Sequence, residues 1–152
     1  MDDTTTDSRT LVLIDPSSPD GEGGLDVLSP EDRAVTLLLT LDGPSAAALQ
    51  EFAVAEAIDV SMAGLIYLDQ VVSRVGVRTD DIETISTSGS DAIAEIFHVL
   101  QHRTVARVIV PASLPGLDGG GLAKLLRVCP VPVIVAPGVG SSTSTRKLFS
   151  LR

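Results

Sequence analysis

Apolar residues in this chain gather into short runs instead of alternating with polar ones. Thr10-Leu-Val-Leu-Ile14, Ala34-Val-Thr-Leu-Leu-Leu-Thr-Leu41 and Ala106-Arg-Val-Ile-Val-Pro-Ala112 are of this kind. Such runs suit strands covered on both faces. Ser61-Met-Ala-Gly-Leu-Ile-Tyr-Leu68 reads the same way and is expected to be a strand ending at Asp69. Cys129-Pro-Val-Pro-Val-Ile-Val-Ala-Pro137 is a second late run expected to be buried. Asp81-Ile-Glu-Thr-Ile-Ser86 does alternate, as a half-covered strand near a sheet edge would.

Helical spacing fills the gaps. Asp42-Gly-Pro-Ser45 is a turn whose Pro44 or Ser45 suits a first helical turn. The helix it opens reaches about Ile58, with Leu49, Phe52 and Ala53 facing the core. Gln70–Val77 is expected to be a short helix, although its valines are poor helix formers. Ser90 can cap a helix running to His102 that buries Ile93, Ile96, Phe97 and Leu100, with Asp91 near its positive end. Gly119-Gly-Gly-Leu-Ala-Lys-Leu-Leu-Arg127 reads as a short, glycine-opened helix. Alternating strands and helices require right-handed crossovers and a parallel sheet. The expected fold is therefore α/β: one doubly wound, Rossmann-like domain over residues 10–138, with a mostly parallel five- or six-stranded sheet. Residues 1–9 and 139–152 are expected to be flexible tails. Asp15 to Pro30, rich in proline, glycine and acids, reads as a long loop.

Composition narrows the function classes. Only three Phe and one Tyr are present, so the core must be built from Val, Leu, Ile and Ala, which favours α/β layers over a β-sandwich. The net charge is −9, from 20 acidic and 11 basic side chains, and Lys124 and Lys147 are the only lysines. That surface repels phosphate backbones and argues against a nucleic-acid partner. Scarce lysine with excess acid suits a halophilic protein; ordinary acidic surface charge accounts for it equally well. A single cysteine, Cys129, excludes an intramolecular disulfide and reads as an inert core thiol. Met-Asp-Asp-Thr-Thr-Thr-Asp lacks the basic start and apolar stretch of a signal peptide. No apolar run approaches the ~20 residues a membrane span needs. A cytoplasmic protein without membrane insertion is expected.

Candidate chemistry centres on the last third. A glycine-rich loop opening a helix beyond a strand's carboxyl end is where α/β folds bind anions through free N–H groups. Gly119, Gly120 and Gly121 can cradle a phosphate in this way, or simply permit a tight turn and close helix packing. His98 and His102 stand four apart, a spacing compatible with a metal pair. They point away from the apolar stripe, and no motif completes a site, so no metal is expected. No Ser/His/acid or Cys/His set can be assembled, and the chain is not expected to be an enzyme. Ser141–Thr145 beside Arg146 and Lys147 reads as a docking or modification tail for a protein partner, or as a solubilising end.

From Leu37 onward the pattern resembles the universal stress protein family. Leu37-Leu-Leu-Thr-Leu-Asp-Gly-Pro-Ser45 is similar to its opening strand and Asp-Gly-Ser turn, and Ala46–Ile58 to its first helix. Gly89-Ser-Asp-Ala-Ile93 sits where the family has Gly-Asp-Pro-Ala-x-x-Ile, and Val108-Ile-Val-Pro-Ala112 where it has Ile-Val-Met-Gly. Leu122–Val135 resembles its closing helix and Pro-Val-Pro-Val strand. The resemblance implies an adenine-nucleotide α-hydrolase-like fold and a homodimer through the last strand, Val131–Val135. It also implies a crevice for ATP or AMP formed by Leu41, Asp42, Gly43, Pro111, Ala112, Gly116, Gly119, Gly120 and Gly121. There Asp42 would face the ribose or a metal; an Asp-Gly turn former is the plainer reading.

Three departures matter. Nucleotide-binding members carry Gly-x2-Gly-x9-Gly-[Ser/Thr], whereas Ser113–Gly121 is too short, has no hydroxyl beside its glycines and places Asp118 where phosphates would lie. The family's second helix looks cut down around Gln70–Val77. Residues 10–33 look like an insertion, unless Thr10–Ile14 and Asp15 are the family's first strand and turn; Asp42 is preferred because a proper helix follows it. The resulting expectation is a stress-related adaptor with weak or lost nucleotide binding. The alternatives are an ATP/AMP sensor and an accessory domain of a transporter or kinase.

Overall fold

The protein is described by a computed structural model covering residues 8–16, 23–29, 31–41, 43–75, 81–87, 92–111 and 120–136. Its strands are β1 (Arg9–Leu13), β2 (Ala34–Thr40), β3 (Asp81–Thr87), β4 (Val105–Pro111) and β5 (Val133–Ala136). They form a five-stranded sheet in the order β3-β2-β1-β4-β5, and every neighbouring pair is parallel. The helices are α1 (Gly43–Glu56), α2 (Val60–Val75), α3 (Ala92–His102) and α4 (Gly120–Val128); a 3₁₀ turn spans Gly23–Val27.

The apolar runs at Thr10–Ile14, Ala34–Leu41 and Ala106–Ala112 became the three central strands. All seven residues of β2 are buried, as are the last four of β1. Side chains leave a strand alternately, so neighbours in each run feed different layers. Val12, Ile14, Val35, Leu37, Leu39 and Ile109 meet Leu25 of the turn, Leu49 and Ala53 of α1, and Ala63, Leu68 and Val71 of α2. On the other face Leu11, Leu13, Leu38, Val108 and Val110 meet Ile93, Ile96 and Val99 of α3 and Leu125 of α4. The alternating segment, β3, lies at an edge as its pattern predicts.

Four expectations need correction. Ser61–Leu68 is not a strand but the first half of α2, and the described part of Gln70–Val77 is that helix's last turns. The corner before it sets the outcome. Ala57 takes a left-handed φ of 57°, and the Ile58 N–H donates to the Ala53 carbonyl at 3.0 Å, closing α1. Asp59 then caps α2, its Oδ1 accepting the Met62 N–H at 2.7 Å. Ala63, Leu68 and Val71 are buried at helical spacing, while Met62 and Leu65 face outward and mask that period in the sequence. The crossover helix is thus full length rather than cut down.

The second correction concerns the start of the fold. The sheet's central strand is β1, not the strand beginning near Leu37, so residues 10–33 are no insertion. They supply the middle strand and the first crossover. Third, Asp15–Pro30 is not wholly loop. Its 3₁₀ turn covers the sheet where Gly24 is so close that a Cβ would lie 3.0 Å from both Val12 and Ile109. Fourth, the last run is shorter and less buried than expected, because β5 is the other edge strand and Val135 is exposed.

Candidate functional site

Crossovers from β1 through β2 to β3 travel one way across the sheet, and those from β3 through β4 to β5 travel the other. The direction reverses between β1 and β4, and the carboxyl ends of strands open a crevice at such a switch point. Val12 pairs with Ile109 there, and the Ile14 N–H donates to the Leu38 carbonyl at 2.9 Å, holding the chain straight beyond β1. The next residue, Asp15, is 0 % exposed. Pro111, the last residue of β4, is buried on the facing strand.

This geometry distributes the sequence-predicted residues unevenly. Pro111 ends the strand beside the switch point, and Gly120 and Gly121 open α4. Ala112, Gly116 and Gly119 lie outside the described residues, as does Asp42. Leu41 donates its N–H to the Thr87 carbonyl at 2.7 Å, so Leu41 belongs with the β2–β3 side. Strand β1 stands between β2 and β4, which puts those two strands ~10 Å apart. Among the described residues, the carboxyl group that follows the strand beside β4 is Asp15. Its signal in the sequence was an apolar strand ended by Asp-Pro.

Asp15 is a carboxyl group enclosed by protein at the switch point, with no surface open to solvent. Pro111 has no N–H to give, which leaves the amide groups opening α4 as the described donors on that side. Among the described residues no group of three or more His, Cys, Asp or Glu side chains is arranged to hold a metal. His98 and His102 are exposed, with ring centroids 4.5 Å apart, and His102 Nδ1 lies 2.9 Å from the His98 carbonyl.

The opposite, amino-terminal edge carries a polar cluster that sequence reasoning missed. Arg9 spans three strands: its Nε donates to Thr36 Oγ1 at 2.7 Å, and its Nη2 to the Val35 carbonyl at 3.0 Å. The same guanidinium grips Asp81 through two bonds of 2.9 and 3.0 Å. Thr36 in turn donates to Glu83 at 3.1 Å, and Arg103, just after α3, closes a two-point pair with Glu83. Asp32, with only 8 % of its side chain exposed, accepts from Thr10, the Ser29 N–H and Arg107 at 2.6, 2.7 and 2.7 Å.

These contacts shift ionisation. Burial pushes the Asp32 carboxyl up, but Thr10, Ser29 and Arg107 together outweigh it and hold the group below the usual Asp value. Arg9 hydrogen bonds lower Asp81, and those of Arg103, helped by Thr36, lower Glu83 against its burial. A depression of about 520 Å³ lies here, lined among others by Thr10, Asp32, Asp81 and Arg107. Its charges already serve one another, which suits a clamp on the sheet more than a ligand site.

No helix among the described residues is long and apolar enough to cross a membrane. No protein-family model matches the chain. No curated protein matches it in sequence. Solved structures do match in shape. The universal stress protein UspA from Lactobacillus plantarum superposes with a TM-score of 0.58 at 15% identity, covering 86% of this chain and 98% of that one. A hypothetical protein whose structure served to assign its biochemical function gives 0.60 at 16%, covering 86% and 96%. A universal stress protein in complex with cAMP gives 0.53 at 15%, covering 85% and 96%. The strand order, the all-parallel sheet and these superpositions together establish that the chain has the universal stress protein fold.

Proposed function

We propose that this protein is a universal-stress-protein-like regulatory adaptor, non-enzymatic and cytoplasmic, that homodimerises through β5 and binds nucleotide weakly or not at all. One observation carries the reading. Edge strand β5 exposes Val135, and the neighbouring α4 exposes Leu126 and Val128. An apolar edge strand left open to water invites pairing with another strand, and a second copy of the same edge is the simplest partner. The shortened Ser113–Gly121 loop supports weak or lost nucleotide binding. Sedimentation equilibrium tests the dimer: the native chain is expected to be dimeric and Val135→Lys monomeric. A native chain that stays monomeric at micromolar concentration overturns it.

A second reading, an ATP- or AMP-binding sensor, is favoured by Asp15 buried beside β4 at the switch point. One structurally similar universal stress protein was solved with cAMP, which supports testing adenine nucleotides. Calorimetry with ATP and magnesium separates the readings. Micromolar binding that is lost in Asp15→Ala establishes the sensor, whereas a flat titration up to millimolar nucleotide leaves the adaptor.

A further inference from the structure

The α1–α2 layer has an outward face unlike that of an ordinary surface helix pair. α1 exposes apolar positions beside its polar ones: Leu49 and Ala53 are buried, but Ala47, Ala48 and Ala55 are exposed next to Gln50, Glu51 and Glu56. Val54 is 69% exposed, and beyond the Ala57–Asp59 corner Met62 and Leu65 are 48% and 41% exposed. Large apolar side chains left open together on an outward face mark a contact surface. Among the described residues, the sheet and α2 cover one side of α1 and nothing covers the other.

The charges around this face are of one sign. Glu51, Glu56, Asp59 and Asp69 are exposed on it, and residues 34–73 contain no Lys, Arg or His. The opposite layer differs, since α4 carries Lys124 and Arg127 on its surface. Carboxylates beside an apolar patch repel anionic lipid and nucleic-acid backbones while attracting cations. An apolar stripe on a helix pair receives another amphipathic helix well, and methionine adapts to varied shapes. We infer that the outer face of α1 and α2 is a docking surface for a basic amphipathic helix of another protein. Val54, Met62 and Leu65 receive its apolar stripe, and Glu51 and Asp69 meet its flanking cations. This deepens the adaptor reading by naming the partner's chemistry; the two fail separately, because sedimentation interrogates β5 and the experiment below interrogates this face.

The probe is a fluorescein-labelled Leu/Lys amphipathic peptide of about 18 residues, roughly five helical turns, read by fluorescence anisotropy. A Leu/Glu peptide of the same pattern is the control. Binding of the Leu/Lys peptide alone is expected, weakening as salt rises. Met62→Ser/Leu65→Ser and, separately, Glu51→Lys should each weaken it about tenfold. Glu95→Lys makes the same charge change on α3 and should leave binding within about twofold. Far-ultraviolet circular dichroism confirms that these exposed substitutions leave the fold intact. The proposal is overturned if Glu95→Lys weakens binding as much as Glu51→Lys, if both peptides bind alike, or if the serine pair has no effect. It is also overturned if the serine pair dissociates the chain's own dimer, because a second copy would then cover the face.

Discussion

The two ends of the sheet solve different problems. At the amino-terminal edge Arg9, Thr36, Asp81, Glu83 and Arg103 form one hydrogen-bonded cluster, and Thr10, Asp32 and Arg107 form another beside it. Every one of these side chains faces a complementary neighbour, and together they tie β1, β2, β3, β4 and the end of α3. At the carboxyl edge the described packing is steric: Gly64 lets α2 approach β3 so closely that a Cβ would stand 2.5 Å from Ser86 Oγ. That edge also holds Asp15, buried at the switch point. Charge pairs with charge where loops enter the strands, and small side chains set the packing where they leave. A cluster of charged residues in this fold can therefore be structural, as the paired groups of the amino-terminal edge are.

Acidification should break the amino edge first and produce the largest effect. Asp32, Asp81 and Glu83 are held below their ordinary values, so the folded chain binds protons less readily than the unfolded chain there. Their contribution is complete above pH ~5 and drains away as pH falls below ~4 and through the folded values. Urea midpoints measured from neutral to acid pH are expected to fall over that window. Arg107→Ala isolates one pair: it leaves the nearly buried Asp32 without its cation and should cost ~2–3 kcal/mol at neutral pH. The gap between variant and native chain should close as acid protonates Asp32. A gap that persists to pH ~2 would assign the loss to packing instead.

The carboxyl half should respond to bulk. Gly64→Ala must displace Ser86 or Leu39, the latter 3.0 Å from the new Cβ, and is expected to cost ~1–2 kcal/mol despite alanine's better helix propensity. Ser86 Oγ is buried without a hydrogen-bond partner among the described residues, so Ser86→Ala alone should be nearly neutral and should rescue much of the Gly64→Ala loss. Additive losses in thermal melts of the double variant would place the strain on Leu39.

Much of the fold was legible in the chain. Unbroken apolar runs at Thr10–Ile14 and Ala34–Leu41 predict doubly covered strands because both faces of such a strand avoid water. Alternation at Asp81–Ser86 predicts an edge because one face does not. Ser61–Leu68 was misread because Met62 and Leu65 are apolar yet exposed, which hides the helical period. The caps that decide it, Ala57 in a left-handed turn and Asp59, are local signals of modest size.

What the sequence determined by itself was which segments avoid water and that alternating strands and helices call for a parallel sheet. Only the tertiary structure decided strand order. That order depends on long-range pairing, such as Val12 with both Leu37 and Ile109, which no local pattern encodes. It made β1 the centre of the sheet, put the end of β1 and Asp15 beside β4, and drew Arg9, Asp81 and Glu83 from opposite halves of the chain into one cluster. Periodicity reports how much water each residue tolerates; it carries no information about which neighbour excludes that water.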